Sequence, residues 1–345
     1  MNNRNGASPS PQRARGAALI TALFVVALAA LLVSGLLWRQ HVQIRRLENQ
    51  RLAMQARWVE RGALDWIRFT LRALGAATPV DYLGGVWAVP LAPVRLSDVL
   101  GRTGDAVRAE VGEDTELFGW VEDAQAKFNL RNLVGASASG QWQPDLAQIQ
   151  NFQRLLSILK LEPELANAAA AHLRAALAGP DAPNAHTAQD RGADDLDAAT
   201  QPLFLDDLAM LLDAPGFSRE IIARLAPFLT VLPQRSAVNV NTARAEVMAA
   251  IFEGLGLANA QSLAAQREQI FFVNPADFIN RARAVAGAPL QFDANAQQFD
   301  VKTDFLIIHG RIRHGRVRLA RDALVYRNRI TQKTRIVRVR DAEIE

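Results

Sequence analysis

The spacing of apolar side chains changes character several times along the chain, and each change predicts a different element. From Ala17 to Trp38 the residues are almost all apolar and none is charged. At about 1.5 Å per residue, a helix of that length crosses the roughly 30 Å hydrocarbon core of a bilayer. A secretory signal has only about 7 to 15 apolar residues before a cleavage site. Here the run is longer and exits directly into Trp38, Arg39 and Gln40, which predicts a retained anchor. Beyond it, Leu47, Met54, Trp58, Leu64, Ile67, Leu71 and Leu74 recur at mainly helical steps, with Arg45, Arg46, Arg51, Arg57 and Glu60 between them. The anchor is therefore expected to continue as one long helix to about residue 75, laying Trp58, Ile67 and Leu71 against a sheet. Thr78, Pro79, Gly84 and Gly85 end it.

Residues 86–135 read as short strands, with Phe118–Glu122 and Lys127–Leu130 facing each other across a polar turn as a hairpin. Asn129 and Asn132 are expected to cap or turn the chain. Gly135–Gln143 is small and polar, a boundary by composition. After Pro144 the texture is Ala-rich and helical: Leu146–Leu161, Pro163–Leu177, Leu203–Leu212, Arg219–Leu229, Thr242–Phe252, Asn259–Ile270 and Pro275–Ala284. Asp206, Ser218, Thr242 and Asn274 stand at N-cap positions, and Pro144, Pro163 and Pro275 near first turns. From Gln298 the period becomes two, giving strands over Phe299–Arg313, Arg316–Arg329 and Thr334–Asp341. The fold class is α+β. Its segments are 1–16, 17–38, 39–75, 76–140, an all-helical insert at 141–297, and 298–345.

Charge sharpens that division. Residues 141–297 carry 11 basic against 17 acidic side chains, net −6, inside a chain of net +4, so the two parts present surfaces of opposite sign. The last strands are rich in arginine, including Arg311, Arg313, Arg316, Arg318, Arg321, Arg327, Arg329, Arg335, Arg338 and Arg340. Alternation puts many on one face, either as a docking surface for an acidic partner or as a solvated face. There is no Cys among the 345 residues, which removes disulfides, thiolate metal sites and cysteine nucleophiles. No P-loop, G-x-S-x-G, H-E-x-x-H or dinucleotide fingerprint occurs, so an enzyme is disfavoured.

Three stretches carry a family resemblance. Arg13, Ala14, Arg15 and Gly16 abut the apolar run, a pattern similar to the leader of type IV pilins and type II secretion pseudopilins. The resemblance implies that a prepilin peptidase cuts after Gly16, leaving Ala17 as a methylated amino terminus; a plain signal anchor is the alternative on these residues alone. The fifth mature position is Thr21 where most pilins carry Glu, a substitution typical of the minor pseudopilin K family. Val121–Leu133, VEDAQAKFNLRNL, resembles a run of that family and departs from it at Arg131, where Asn is commoner. Val238–Gly256 holds the family's N-V-N-T-A run and resembles a helix-hairpin-helix module with Gly254 and Gly256 at the hairpin. The resemblance implies a pilin-like fold whose sheet the insert interrupts. It also implies a tip subunit that initiates or caps a pseudopilus, with minor pseudopilins I and J, the prepilin peptidase and other type II secretion components as partners. The location implied is a bacterial inner membrane crossed once, with the C-terminal bulk in the periplasm; the arginines on either side of the span do not by themselves decide the orientation. The resemblance implies calcium binding in the insert, where Asp190, Asp194, Asp195 and Asp197 offer oxygen ligands of that kind, but the family's acidic stretch upstream is replaced by Ala176–Asp181, and a solvated acidic loop is the favoured reading of these residues. The competing function is a membrane-anchored DNA-binding or DNA-uptake protein using the hairpin. It is disfavoured by the acidic surroundings, since phosphate contacts need Lys and Arg.

Overall fold

One helix, α1 (Gln12–Ala77), runs for 66 residues, about 100 Å at 1.5 Å per residue, and everything else hangs on its second half. The structure is a computed structural model that describes residues 12–100, 115–137, 140–178, 207–287, 290 and 298–342. No proline interrupts α1, and Pro79 lies just beyond its end. Its buried face is Ala56, Glu60, Leu64 and Leu71, with Ile67 and Leu74 partly covered, the three-and-four spacing of one helix side. Trp58, expected on that face, points away and is 71% exposed. At 100° per residue it sits roughly opposite the row defined by Ala56, Leu64 and Leu71, so helical phase overrides its bulk.

The sheet is antiparallel, in the order β1 (Leu91–Arg95), β2 (Thr115–Asp123), β9 (Phe305–His314), β10 (Val317–Arg327), β11 (Thr334–Asp341). A short helix, α2 (Leu96–Leu100), follows β1. One sheet face packs Leu306, Ile308, Ala323 and Val325 with Trp87 against Leu64 and Leu71 of α1. The other face buries Phe305, Leu324 and Tyr326 beside Ala124 and Leu232.

The predicted hairpin after Phe118 does not form. β2 already has β1 on one side and β9 on the other, so the chain must leave the sheet after Asp123. It turns through Ala124–Ala126, and β3 (Phe128–Asn129) pairs in parallel with β6 (Leu229–Thr230). Phe128, Leu130, Leu133 and Val134 are buried in the core of the helical unit, so that core starts before the boundary predicted at 140/141. β4 (Val134–Ala136) and β5 (Trp142–Pro144) pair across that boundary.

The insert is helical apart from these bridges and β7 (Val238–Asn239), which pairs in parallel with β8 (Phe299–Asp300). Its helices are α3 (Leu146–Ile158), α4 (Leu165–Leu177), α5 (Arg219–Leu225), α6 (Ala245–Ile251), α7 (Leu257–Gln269) and α8 (Pro275–Ala286). Ser218 and Asn274 cap as expected, accepting from Ile221 N and Asp277 N. Thr242 does not cap, because its hydroxyl is drawn to Asp123 Oδ2 at 2.6 Å, and α6 begins three residues later. Pro144 lies in β5, and Asp145 caps α3 instead. Asp206 lies outside the described residues; Asp207 caps a 3₁₀ turn, Leu208–Asp213, where a regular helix was predicted. Phe299 starts its own short strand, separate from β9.

The arginine-rich strands turn out to spend many of their charges internally. Arg311 pairs with Asp322, Arg313 with Glu116, Arg321 with Glu60 and Asp341, Arg329 with Asp304, and Arg340 with Asp207. Their period-two spacing showed the face but not the acids waiting on neighbouring elements.

Candidate functional site: an exposed helix stripe and a polar joint

Two features stand out, one at each end of the soluble body. The first is the free part of α1. From Leu19 to Trp38 its large apolar side chains are all exposed, as expected of a segment whose solvent is lipid. Exposure continues past the span on the side turned away from the sheet, at Ile44, Leu47, Met54, Trp58, Trp66 and Phe69. An isolated exposed Leu is ordinary, but a run of aromatic and aliphatic groups along one helix side marks a contact surface. The helix is latched to the sheet behind this stripe. Glu48 pairs with Arg316 at 2.9 Å, the Gln55 amide oxygen lies 3.2 Å from His314 Nε2, and Arg68 donates to the Thr334 carbonyl at 2.7 Å. Thr21 lies within the span, and Gly16 and Ala17 fall inside α1 as a backbone.

The second feature is a buried polar joint where α1, the sheet and the insert meet. Asp81, just past α1, accepts from Arg327 Nη2 at 2.5 Å and from Thr303 N at 3.0 Å. Asp123, at the end of β2, accepts from Gln125 N, Asn239 Nδ2 and Thr242 Oγ1. Asn239 donates a second bond to the Asp81 carbonyl, and Asn241 closes on Phe272 through both its amide groups. Asn129 and Asn132 hold the 232–236 segment, the first accepting from Leu232 N and donating to the Gln234 carbonyl, the second bonding Ser236 twice. Asn129 is therefore both a local cap, accepting from Arg131 N, and a long-range tie, whereas Asn132 is a long-range tie. The Asn and Thr residues of the two family-like runs build this joint.

The joint also sets the chain's polarity. The His314 end of β9 meets Gln55, whereas the Phe305 end lies with Leu71, Asp81 and Arg327. The insert thus leaves and re-enters the sheet at the end farthest from the anchor.

Neighbouring acids at the joint titrate in opposite senses. Burial pushes the Asp123 carboxyl up to about 6, while Glu122, hydrogen-bonded to His309 and paired with Lys127, is held down at about 2. A carboxyl with a raised folded pKa stabilises the fold below its unfolded pKa of about 3.9 and loses that contribution as pH rises through about 6. Two units correspond to about 3 kcal/mol. Glu122 contributes stability above the ordinary carboxylate range and loses it only toward pH 2. Between pH 4.5 and 6.5, unfolding free energy should therefore fall in the wild type and stay flatter in Asp123→Asn; parallel profiles would contradict the assignment.

Gly254 and Gly256 have φ of 87° and 70°, turning the chain from α6 into α7. Their neighbour Glu253 pairs with Arg154, and Arg267 is committed to the Val240 carbonyl at 2.6 Å. Arg267 is thus a structural tie, and reversing its charge would disturb the fold before reporting on any phosphate contact. Asp190, Asp194, Asp195 and Asp197 lie outside the described residues. Among the described residues no three His, Asp or Glu side chains are grouped to hold a metal ion.

Residues 126–234 and 238–302 match two family models, both described as type II secretion system protein K. A type II secretion system protein K of Pseudomonas aeruginosa is 32% identical over 266 residues, covering 69% of this chain and 68% of the relative. The chain belongs to the type II secretion system protein K family. The protein K of Aeromonas hydrophila is 27% identical over 278 residues, covering 76% of this chain and 78% of that one. The fold agrees with a crystal structure of the GspK-GspI-GspJ complex of enterotoxigenic Escherichia coli. The TM-score is 0.57 at 17% identity, over 87% of this chain and all of the matched one. Both family matches begin inside the joint: the first at Ala126, beside Gln125, and the second at Val238, beside Asn239. Membership of the protein K family makes the chain a structural component of type II protein secretion, and its apolar N-terminal helix fits a membrane anchor.

Proposed function

We propose that this chain is the minor pseudopilin at the tip of a type II secretion pseudopilus, held in the bacterial inner membrane by α1 before assembly, with its bulk in the periplasm. The observation that carries the reading is the position of the insert at the end of the sheet farthest from the anchor, above a helix whose free side is apolar. A subunit built this way offers a helix to neighbours alongside and a broad helical body where the next subunit would stack. Thr21 fits the same role, because a carboxylate in lipid is costly without a neighbour's amine to neutralise it. The role is structural, without a catalytic step. The partners are I-type and J-type minor pseudopilins, whose homologues appear in the crystallised complex.

Two measurements test this. Mass spectrometry of the membrane-extracted protein should find an amino terminus at methylated Ala17; an intact Met1 would contradict processing. Trp58→Glu with Phe69→Glu should leave the melting temperature of the isolated chain nearly unchanged, because exposed substitutions shift stability by about 0.5 kcal/mol or less. The same pair should abolish co-purification with I-type and J-type subunits, and retention of the complex would remove the stripe as the contact face.

A further inference from the structure

The end of the soluble body nearest the anchor is strongly basic, and neither the apolar stripe nor the polar joint uses that charge. The uncharged run of α1 stops at Trp38, an exposed ring of the kind that sits at a membrane–water interface. Arg39, Arg45, Arg46 and Arg51 follow it, all exposed, and helical spacing spreads them around α1 as a collar. At about 1.5 Å per residue, Arg45 and Arg46 stand about 10–12 Å above Trp38. Helix side chains lean toward the N-terminus, which here is the bilayer, so these long side chains reach back down to it. The sheet adds to the collar. β9 and β10 turn beside Gly315, and the turn meets α1 where Arg316 pairs with Glu48 at 2.9 Å. Arg313 and Arg318 face each other across the ladder just above that turn, and both are exposed. Like charges directly opposite one another cost stability unless a counter-charge meets them. Arg313 has Glu116 at 2.6 Å, and Asp98 of α2 is offset by Arg95 at the end of β1. Among the described residues no carboxylate lies within ion-pair distance of Arg39, Arg45, Arg46, Arg51 or Arg318.

We propose that this end is a docking surface for anionic phospholipid headgroups, made jointly by the α1 collar and the β9–β10 turn, on which the soluble body stands upon the bilayer that holds its anchor. The anchor fixes the distance. Headgroups fill a layer of about 5–8 Å beside the hydrocarbon, and Glu48 holds the turn about 15 Å above Trp38, within reach of extended arginine side chains. The usual helix tilt of about 20° brings the turn closer still. Guanidinium groups match phosphate oxygens in charge and in hydrogen-bond geometry, and each arginine near an anionic surface strengthens binding about fivefold. The proposal rests on α1 as the anchor and not on the tip role.

The test uses the full chain in dodecyl maltoside micelles, with dioleoylphosphatidylglycerol or dioleoylphosphatidylcholine added in steps. A ligand that binds only the folded state raises the melting temperature in a saturable way. The anionic lipid is expected to do so and the zwitterionic one is not, and salt should shrink the response. Arg45→Gln with Arg46→Gln, and separately Arg316→Gln with Arg318→Gln, should each weaken the apparent affinity about 25-fold. All four side chains are exposed, so these variants should fold. Glu48→Gln breaks the same contact as Arg316→Gln but removes an acid, and it should respond at least as strongly as wild type, which separates lipid contact from loss of the latch. Arg219→Gln, an exposed arginine on the insert, should respond as wild type does. Equal responses to the two lipids overturn the surface. An unchanged response in the Arg316 and Arg318 pair also overturns it, because α1 alone would then be an ordinary interfacial anchor. A saturable shift with sodium phosphate at matched ionic strength would assign the arginines to a small free anion and overturn the membrane surface. Solubility of the chain without detergent would remove the anchor, and the surface with it.

Discussion

Replacing Arg327 with alanine is expected to cost about 3–5 kcal/mol of stability, the usual result of stranding one member of a buried ion pair. Arg327 and Asp81 have side chains 5% exposed each. Arg327 also donates to the Thr303 carbonyl at 2.9 Å and approaches the Leu71 carbonyl at 3.5 Å, so one side chain ties the end of α1 to β10 and to the chain returning from the insert. Without it, the Asp81 carboxylate stays buried with, among the described residues, only the Thr303 N–H to solvate it. The double variant Asp81→Asn with Arg327→Met removes both charges and should recover a large part of the loss. Urea unfolding followed by circular dichroism checks both. If Arg327→Ala and the double variant are equally damaged, packing rather than charge holds the joint.

The other large effect is expected in the insert. Phe128→Ala removes a ring that is fully buried and stacked on Phe152 at a centroid distance of 5.6 Å, which should cost about 3–5 kcal/mol. Phe128 sits where the chain has just left the sheet, so the experiment also asks which unit this residue serves. Since it packs with α3 and the rest of the helical core, hydrogen exchange should rise first in α3 and α6, with the β9–β10 ladder protected. Earlier loss of protection in the ladder would assign Phe128 to the sheet instead.

Much of this architecture could be read from residue order. The apolar run and extent of α1 and the last two strands follow from runs and periods that no tertiary contact needed to correct, whereas the strand predicted from Phe299 starts at Phe305 because Phe299 pairs with Val238. Most of the misreadings come from partners distant in sequence. The Phe118–Leu130 hairpin failed because β2 pairs with β9, which starts at Phe305, 182 residues after β2 ends at Asp123, and Thr242 failed as a cap because Asp123, 119 residues away, claimed its hydroxyl. Trp58 was assigned by hydrophobicity when helical phase decides which side it takes. The arginines of the last strands looked like an open basic face because their acids sit on other elements. At the candidate site, the Asn and Thr runs pointed to the right residues, but their chemistry as a joint became visible only when Asp81, Asp123 and Arg327 were brought together.

Because the insert departs from β2 and returns to β9, and those strands are ladder neighbours, the whole crown is in effect an overgrown hairpin loop. A head of another size or chemistry could be grafted at the same two stumps without re-threading the shaft, provided it supplies a lid for Phe305, Leu324 and Tyr326 in place of Leu232. The scaffold below would then stay constant while natural variation or engineering changed what it displays.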